Sequence, residues 1–130
     1  MIILGIDPGI DRCGWGIINH QGNKSQLVDY GCIQTSKKDS HLTRLAQIHE
    51  ELKQILILHK PERVAVEELF FSKNATSAFK VGQARGVILL TLHQAGINPL
   101  ELKPNEIKLA VTGHGAADKK QIQQLVKLIL

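Results

Sequence analysis

The sequence has few cysteines and no long apolar run, and it contains no internal repeat or low-complexity tract. Its two cysteines, Cys13 and Cys32, form neither a CxxC pair nor a four-ligand metal set, so we expect reduced thiols in the core. The longest apolar runs, such as Val87–Leu90 and Ile55–Leu58, are far shorter than the ~20 residues that a membrane-spanning helix needs. The N-terminal segment has no basic residue before Asp7. This predicts a strand instead of a signal peptide, and therefore a cytoplasmic protein.

Acidic residues are scarce in the second half of the chain. Residues 1–71 hold eight Lys/Arg and nine Asp/Glu, whereas residues 72–130 hold eight Lys/Arg and three Asp/Glu. This distribution suits a protein that holds a polyanion near carboxylates, as a nuclease does, although an ordinary solvated basic surface would give the same counts. The 130 residues, 43% hydrophobic and 22% charged, predict one globular domain over residues 1–130.

The pattern of apolar residues predicts five strands and four helices. The strands are short and bounded by Pro, Gly or polar residues: Met1–Asp7, Cys13–His20, Lys24–Thr35, Arg63–Phe70 and Pro99–Leu102. The helices are predicted from Leu42 to before Pro61, from an N-cap at Asn74 to about Ala95, from Pro104 to about Thr112, and from about Ala117. The order β-β-β-α-β-α-β-α-α predicts an α/β fold with a mixed five-stranded sheet, three antiparallel strands preceding parallel αβ crossovers.

The dipeptide Gly22-Asn23 predicts a two-residue hairpin turn between the second and third strands. Facing residue numbers then sum to 45. Trp15 is therefore expected opposite Tyr30, and Cys13 opposite Cys32, where air oxidation could join the thiols.

Two acids stand at positions where strands are otherwise apolar. Asp7 ends the first strand, and Glu67 lies in the fourth strand with Glu68 on the opposite face. Two inward carboxylates without basic neighbours repel each other, and a divalent cation such as Mg²⁺ or Mn²⁺ resolves that conflict. We expect the two carboxylates to converge on one metal; the alternative is a carboxylate that accepts hydrogen bonds from backbone N–H groups.

Four motifs follow one another along the chain: Gly5-Ile6-Asp7-Pro8-Gly9, Ala65-Val66-Glu67-Glu68-Leu69-Phe70, Lys73-Asn74-Ala75 and Gly82-Gln83-Ala84-Arg85-Gly86. In this collinear order they resemble the RuvC family of Holliday junction resolvases. The resemblance runs from residue 1 to residue 130 and implies an RNase H-like fold and a homodimer. It also implies a Mg²⁺-dependent endonuclease of recombination and repair that makes paired nicks in four-way DNA junctions, leaving 5′-phosphate and 3′-hydroxyl ends. The RuvA–RuvB branch-migration complex is the implied partner.

The resemblance also assigns individual residues. It places the first two catalytic, metal-binding acids on Asp7 and Glu67, with two Mg²⁺ ions in the complete site and Mn²⁺ as a possible substitute. It implies Phe70, Lys108 and Lys119 for DNA binding, and the position of Lys73 and Asn74 beside Phe70 adds these two residues to the predicted DNA-binding set. An aromatic ring near phosphate-binding groups suits base stacking, while a core phenylalanine and solvated lysines are the structural alternatives.

The sequence departs from the family pattern near its end. The family has two further acids on a later helix, whereas this chain ends at Leu130 before any such stretch. We therefore expect half of a metal site, and a 130-residue chain that binds branched DNA without cutting it. The alternatives are a non-catalytic branched-DNA-binding module and, because of the Gly-Ile-Asp-Pro-Gly opening, an actin-like ATPase half-domain. The helix from about Asn74 to Ala95 carries more apolar surface than one sheet face can cover, so we expect it at the dimer contact.

Overall fold

The elements of the structure follow the predicted order. A computed structural model describes residues 1–68, 75–113 and 118–129. The strands are β1 (Ile2–Asp7), β2 (Arg12–Gln21), β3 (Lys24–Gln34), β4 (Arg63–Glu67) and β5 (Leu100–Leu102). The helices are α1 (His41–His59), α2 (Ala75–Gln94), α3 (Pro104–Thr112) and α4 (Lys119–Ile129). None of the helices in these ranges is long and apolar enough to cross a membrane.

The strands form one mixed sheet in the order β3-β2-β1-β4-β5. Strands β1, β2 and β3 are antiparallel neighbours, whereas β4 runs parallel to both β1 and β5. Because Ile6 pairs with Val66 in the parallel ladder, the carboxyl ends of β1 and β4 reach the same edge of the sheet. The predicted mixed α/β fold is therefore confirmed.

The hydrophobic core lies between one face of this sheet and helices α1 and α2. Helix α1 begins at the predicted place, where the Ser40 side chain accepts a hydrogen bond from the Thr43 N–H. It ends at His59, and the next residue, Lys60, caps it in a left-handed conformation before Pro61. The buried hydrophobic side chains of the sheet and of the two helices are Leu4, Ile6, Cys13, Ile17, Ile33, Val64, Val66, Ile48, Leu52, Leu56, Ala84, Ile88 and Leu92. The predicted N-cap of α2, Asn74, lies outside the described residues.

The predicted register of the β2–β3 hairpin is correct only near its turn. From Gln21 to Ile18 the paired residue numbers sum to 45, but Val28 is an extra residue, and beyond it the sum is 46. The cause is a β-bulge, which places two residues of one strand against one residue of the other. Trp15 therefore lies opposite Gly31, not Tyr30.

The same bulge overturns the prediction for the two cysteines. Cys13 pairs with Ile33, while Cys32 pairs with Gly14 on the next rung of the ladder. Because successive residues of a strand point to opposite faces, the two thiols lie on opposite sides of the sheet. Cys13 is a core residue as predicted, but Cys32 is exposed, and both are free.

Candidate active site

The side chains of Asp7 and Glu67 meet at the carboxyl ends of β1 and β4. Each residue follows the paired positions Ile6 and Val66, whose side chains are buried in the core, so both acids point to the opposite face of the sheet. The carboxyl group of Glu67 is hydrogen-bonded to the Asp7 carboxylate. The predicted convergence of these two acids is confirmed, and the acid that contacts Asp7 is Glu67, as the strand alternation requires.

The pKa of Glu67 is raised from 4.5 to about 7, most of all by burial and further by the hydrogen bond to Asp7 and the charge of Asp7. A protonated Glu67 donates a hydrogen bond to the Asp7 carboxylate, and this avoids the repulsion between two ionised carboxylates in contact. The proton on Glu67 is shared with Asp7 in this way and is lost with a pKa of about 7; a divalent cation held by the pair would replace it.

The donor set of this pair fits a hard divalent cation. Carboxylate oxygens are the ligands that Mg²⁺ and Mn²⁺ prefer, and Mg²⁺ is commonly held by one or two carboxylates together with water and substrate phosphate. Within residues 1–68, 75–113 and 118–129, no group of three or more His, Cys, Asp or Glu side chains is placed to hold a metal. The described chain thus supplies two carboxylates to such a site.

Helix α3 brings Lys108 to the carboxylate pair. The positive charge of Lys108 lowers the pKa of Glu67, against the larger effects that raise it. This lysine is half-buried, and the helix that carries it starts with Pro104 and stops at Gly113, whose φ of 73° is left-handed. The structure therefore places one of the predicted DNA-binding lysines beside the predicted metal ligands.

Of the other predicted DNA-binding residues, the structure describes Lys119. Lys119 is exposed and is the first residue of α4. Phe70, Lys73 and Asn74 lie outside the described residues.

Cys13 is a neighbour of the site that the sequence analysis did not identify. The pKa of its thiol is raised to about 11, chiefly by burial; the Gly9 backbone hydrogen bond lowers it and the charge of Asp7 raises it. The thiol is neutral at physiological pH, so it adds no charge on the core side of the strand that pairs with Asp7. The only signal in the sequence is the place of Cys13 in the strand that pairs with β1.

The face of the sheet around Asp7 is lined by glycines. Gly5 pairs with Gly16, and Asp7 pairs with Gly14, so the three glycines are adjacent on two strands. A Cβ atom built on Gly5 or Gly16 would meet no atom within 4 Å, and one built on Gly14 would lie 3.9 Å from the Asp7 Cβ. The described residues thus leave open space beside the carboxylate pair.

The turn that follows Asp7 is fixed by a buried arginine, Arg44. Its side chain is 8% exposed, and its guanidinium donates to Asp11 and, through Nε, to Thr35 Oγ1 at 2.9 Å. Thr35 in turn donates from its hydroxyl to the carbonyl oxygen of Ile10. The local sequence pattern does not predict this network; its one signal is that Arg44 lies four residues before Ile48, on the core-facing side of α1.

Comparisons with known proteins agree with the geometry. The family model described as crossover junction endodeoxyribonuclease RuvC matches residues 3–130. A crossover junction endodeoxyribonuclease RuvC from Heliobacterium modesticaldum is 48% identical over 130 residues, which cover all of this chain and 80% of that protein. The protein of the same name from Petrotoga mobilis is 50% identical with the same coverage. A solved structure of T. thermophilus RuvC in complex with Holliday junction substrate has a TM-score of 0.93 and 36% identity, covering 100% of this chain and 79% of that one.

Proposed function

Since the chain belongs to the RuvC family of crossover junction endodeoxyribonucleases, a family of metal-dependent nucleases, we propose that it resolves four-way DNA junctions. The observation that carries this proposal is the contact between Asp7 and Glu67 at the edge of the sheet. Residues 1–130 form a single nuclease domain that contributes these two carboxylates. The reaction is hydrolysis of a phosphodiester bond in each of two opposed strands, leaving 5′-phosphate and 3′-hydroxyl ends.

Asp7 and Glu67 would hold divalent metal, Mg²⁺ in the cell with Mn²⁺ as a substitute, and two ions in the complete site. Such ions, when bound, lower the pKa of the attacking water and stabilise the charge on the leaving oxygen. For metal to bind, Glu67 must lose the proton that it shares with Asp7, so loading of the site improves as the pH rises above about 7. Glu67 is thus the residue whose protonation controls activity at the acidic end.

The lysines and the aromatic residue near the site would hold the DNA. Lys108, close to Glu67, provides a positive charge next to the phosphate that reacts. We assign Phe70 to stacking on a junction base, and Lys73, Asn74 and Lys119 to contacts with the DNA backbone. Binding of this kind depends on phosphate charge and weakens as salt rises.

We propose that α2 forms the contact of a homodimer. Its buried side chains, Ala84, Ile88, Thr91 and Leu92, face the core. Phe79 and Leu90, which are 69% and 54% exposed, share another side of the helix with Gly86, where a Cβ would meet no atom within 4 Å. A second helix can approach closely there, and a two-fold dimer matches the approximate two-fold symmetry of a four-way junction. Association with a RuvA–RuvB complex is a further part of this proposal.

Family membership favours the nuclease over the actin-like ATPase half-domain. A non-catalytic branched-DNA-binding module is the second candidate, because the described residues bring two acids together and no group of three. Binding and cleavage must therefore be measured separately.

The binding test uses a labelled four-way junction and a duplex of the same sequence, with Ca²⁺ in place of Mg²⁺. We expect the 130-residue chain to bind the junction more tightly than the duplex, and Asp7→Asn to retain that preference. Equal affinity for both DNAs would contradict the assignment to junctions.

The cleavage test uses Mg²⁺ and two chains. A hybrid that joins the C-terminal segment of the Heliobacterium modesticaldum relative after residue 130 should make paired nicks. The 130-residue chain should cut at least ~10²-fold more slowly than this hybrid, because the described residues bring two acids together and removing one electrostatic contributor commonly costs ~10²–10³-fold in rate. Asp7→Asn or Glu67→Gln in the hybrid should abolish them, whereas Glu68→Gln, the matched control, should not. Paired nicks by the Asp7→Asn hybrid would disprove the role of this residue.

A further inference from the structure

A basic cleft lies where the turn after β1 meets the N-terminal parts of α1 and α2. Its volume is about 670 Å³, and its wall begins at Gly9, two residues after Asp7. We define the basic cleft by its five charged residues, one acid and four cations: Asp11, Arg12, Lys37, Arg44 and Lys80. None of the five belongs to the DNA-binding residues that the family resemblance implies.

The single acid of the basic cleft is already neutralised by protein. The buried guanidinium of Arg44 donates to the carboxylate of Asp11, and Lys37 Nζ lies 3.9 Å from the other oxygen of the same carboxylate. Arg44 is held in place by its second hydrogen bond, to Thr35 Oγ1. Arg44 and Asp11 therefore form the floor of the basic cleft, and their charges offset each other.

The remaining three cations carry excess positive charge at the mouth of the basic cleft. Arg12 and Lys80 are exposed, and the side chain of Lys37 is 82% exposed. None of the ion pairs formed between described residues includes Arg12 or Lys80. Three like charges around one concave surface repel each other, and an anion that enters between them relieves the repulsion.

The positions of these cations favour an extended polyanion over a small anion. Arg12 belongs to β2, Lys37 to the connection between β3 and α1, and Lys80 to α2, so the charges line an open surface instead of enclosing one phosphate. Nucleic acid presents one phosphate per about 3.4 Å of axis along each strand, so one strand can contact several cations that lie on different elements. The fixed turn after Asp7 holds this surface next to the carboxylate pair.

We propose that the basic cleft binds the phosphodiester backbone of the junction, as a second contact zone separate from the zone around Lys108. The proposal rests on the proposed function, since it assumes that the strand to be cut lies at Asp7 and Glu67. The DNA then continues from these carboxylates around the edge of the sheet towards Arg12, Lys37 and Lys80. Charge counts along the sequence do not predict this contact zone, because Arg12 and Lys37 lie in the half of the chain whose net charge is −1.

The experiment compares two double variants of the 130-residue chain. Arg12→Ala with Lys80→Ala removes two exposed cations of the basic cleft. The matched control, Lys24→Ala with Arg63→Ala, removes the same two charge types at the opposite edge of the sheet, where Lys24 follows the hairpin turn and Arg63 pairs with Ile3. Junction affinity is measured with Ca²⁺ at several salt concentrations, and an unchanged melting temperature shows that each variant is folded.

The cleft variant should weaken junction binding and lower the slope of log K against log salt by about 1.8, which is 0.9 for each of two lost phosphate contacts. Its affinity deficit should consequently shrink about tenfold between 50 and 200 mM salt. The control variant should keep the slope of the unmodified chain.

Three outcomes would overturn the proposal. Equal losses in the two double variants would mean that only net charge matters. Normal junction binding by the cleft variant, together with loss of inorganic phosphate binding measured by calorimetry, would assign the basic cleft to a small anion. Failure of the unmodified chain to bind the junction would remove the proposed function, and the assignment of the cleft with it.

Discussion

Trp15 lies across the hairpin from Gly31, so close that a Cβ atom built on Gly31 would be 2.8 Å from Cζ2 of the indole. On its other side the indole approaches His59 of α1, with 6.1 Å between ring centroids. His59 Nε2 in turn lies 2.9 Å from Asp29 Oδ2 on β3. The absence of a side chain at Gly31 therefore allows Trp15 to fill the space between the hairpin and the end of α1.

Replacing Gly31 with alanine should destabilise the protein by about 1–3 kcal/mol, the usual cost of an added group in a filled space. The measurement is the free energy of unfolding in urea. Gly16→Ala in β2 is the matched control, since a Cβ there would meet no atom within 4 Å. Equal effects of the two substitutions would show that the indole moves aside at little cost.

Replacing Arg44 with methionine should lower the free energy of unfolding by about 1.5–3 kcal/mol, because hydrogen bonds to charged groups are lost from a buried site. Arg63→Met, at an exposed arginine, should change stability little. Asp11 is 52% exposed on its side chain and can be solvated by water, so the loss should be smaller than for a fully buried ion pair. A loss no larger than that of Arg63→Met would contradict the role of Arg44 in fixing the turn.

The stability of the metal-free protein should fall as the pH rises from about 4.5 to about 7, because of Glu67. The folded state raises the pKa of this residue, so it holds the proton more tightly than the unfolded chain does. The contribution of Glu67 to stability is thus fully present below its ordinary pKa and is lost as the pH passes the raised value. Unfolding in urea with EDTA at pH 4 and pH 8 measures this change.

Glu67→Gln, which keeps a neutral group of similar shape, is the control for that pH dependence. This substitution should remove the fall in the free energy of unfolding between about pH 4.5 and 7, and the variant should be more stable than the parent chain at pH 8. Mn²⁺ or Mg²⁺ at pH 8 should stabilise the parent chain, by about 1.4 kcal/mol at ten times the dissociation constant, and should have little effect on Glu67→Gln. Parallel pH profiles of the two chains would contradict the shared proton.

The two cysteines should differ strongly in reactivity and should not form a disulfide with each other. Cys32 is exposed and should react quickly with a thiol reagent, whereas Cys13 is buried and its pKa of about 11 keeps it protonated. Mass spectrometry of the native protein should find one fast modification, which Cys32→Ser removes. An intramolecular disulfide after exposure to air would contradict the placement of the two thiols on opposite faces.

Local patterns in the sequence were sufficient for the element order, the mixed sheet and the meeting of Asp7 with Glu67. Each of these follows from alternation within a strand or from the polarity of neighbouring strands. The hairpin register failed because the bulge at Val28 carries no glycine or proline signal, and one extra residue inverted every assignment beyond it. The contacts of Arg44 and the basic cleft depend on residues from several elements, which only the folded chain brings together.

Substitutions at Gly5 and Gly16 should have different effects on the stability of the fold and on the space available at the outer face of the sheet. Because a methyl group at either position would touch nothing in the described structure, the free energy of unfolding should hardly register such a change. The added Cβ atom would instead protrude from the face of the sheet that carries the Asp7 carboxylate. The size of the side chain that is tolerated at these positions is therefore limited by whatever binds against the outer face of the sheet. Substitutions of increasing size would measure the space between that face and the bound molecule.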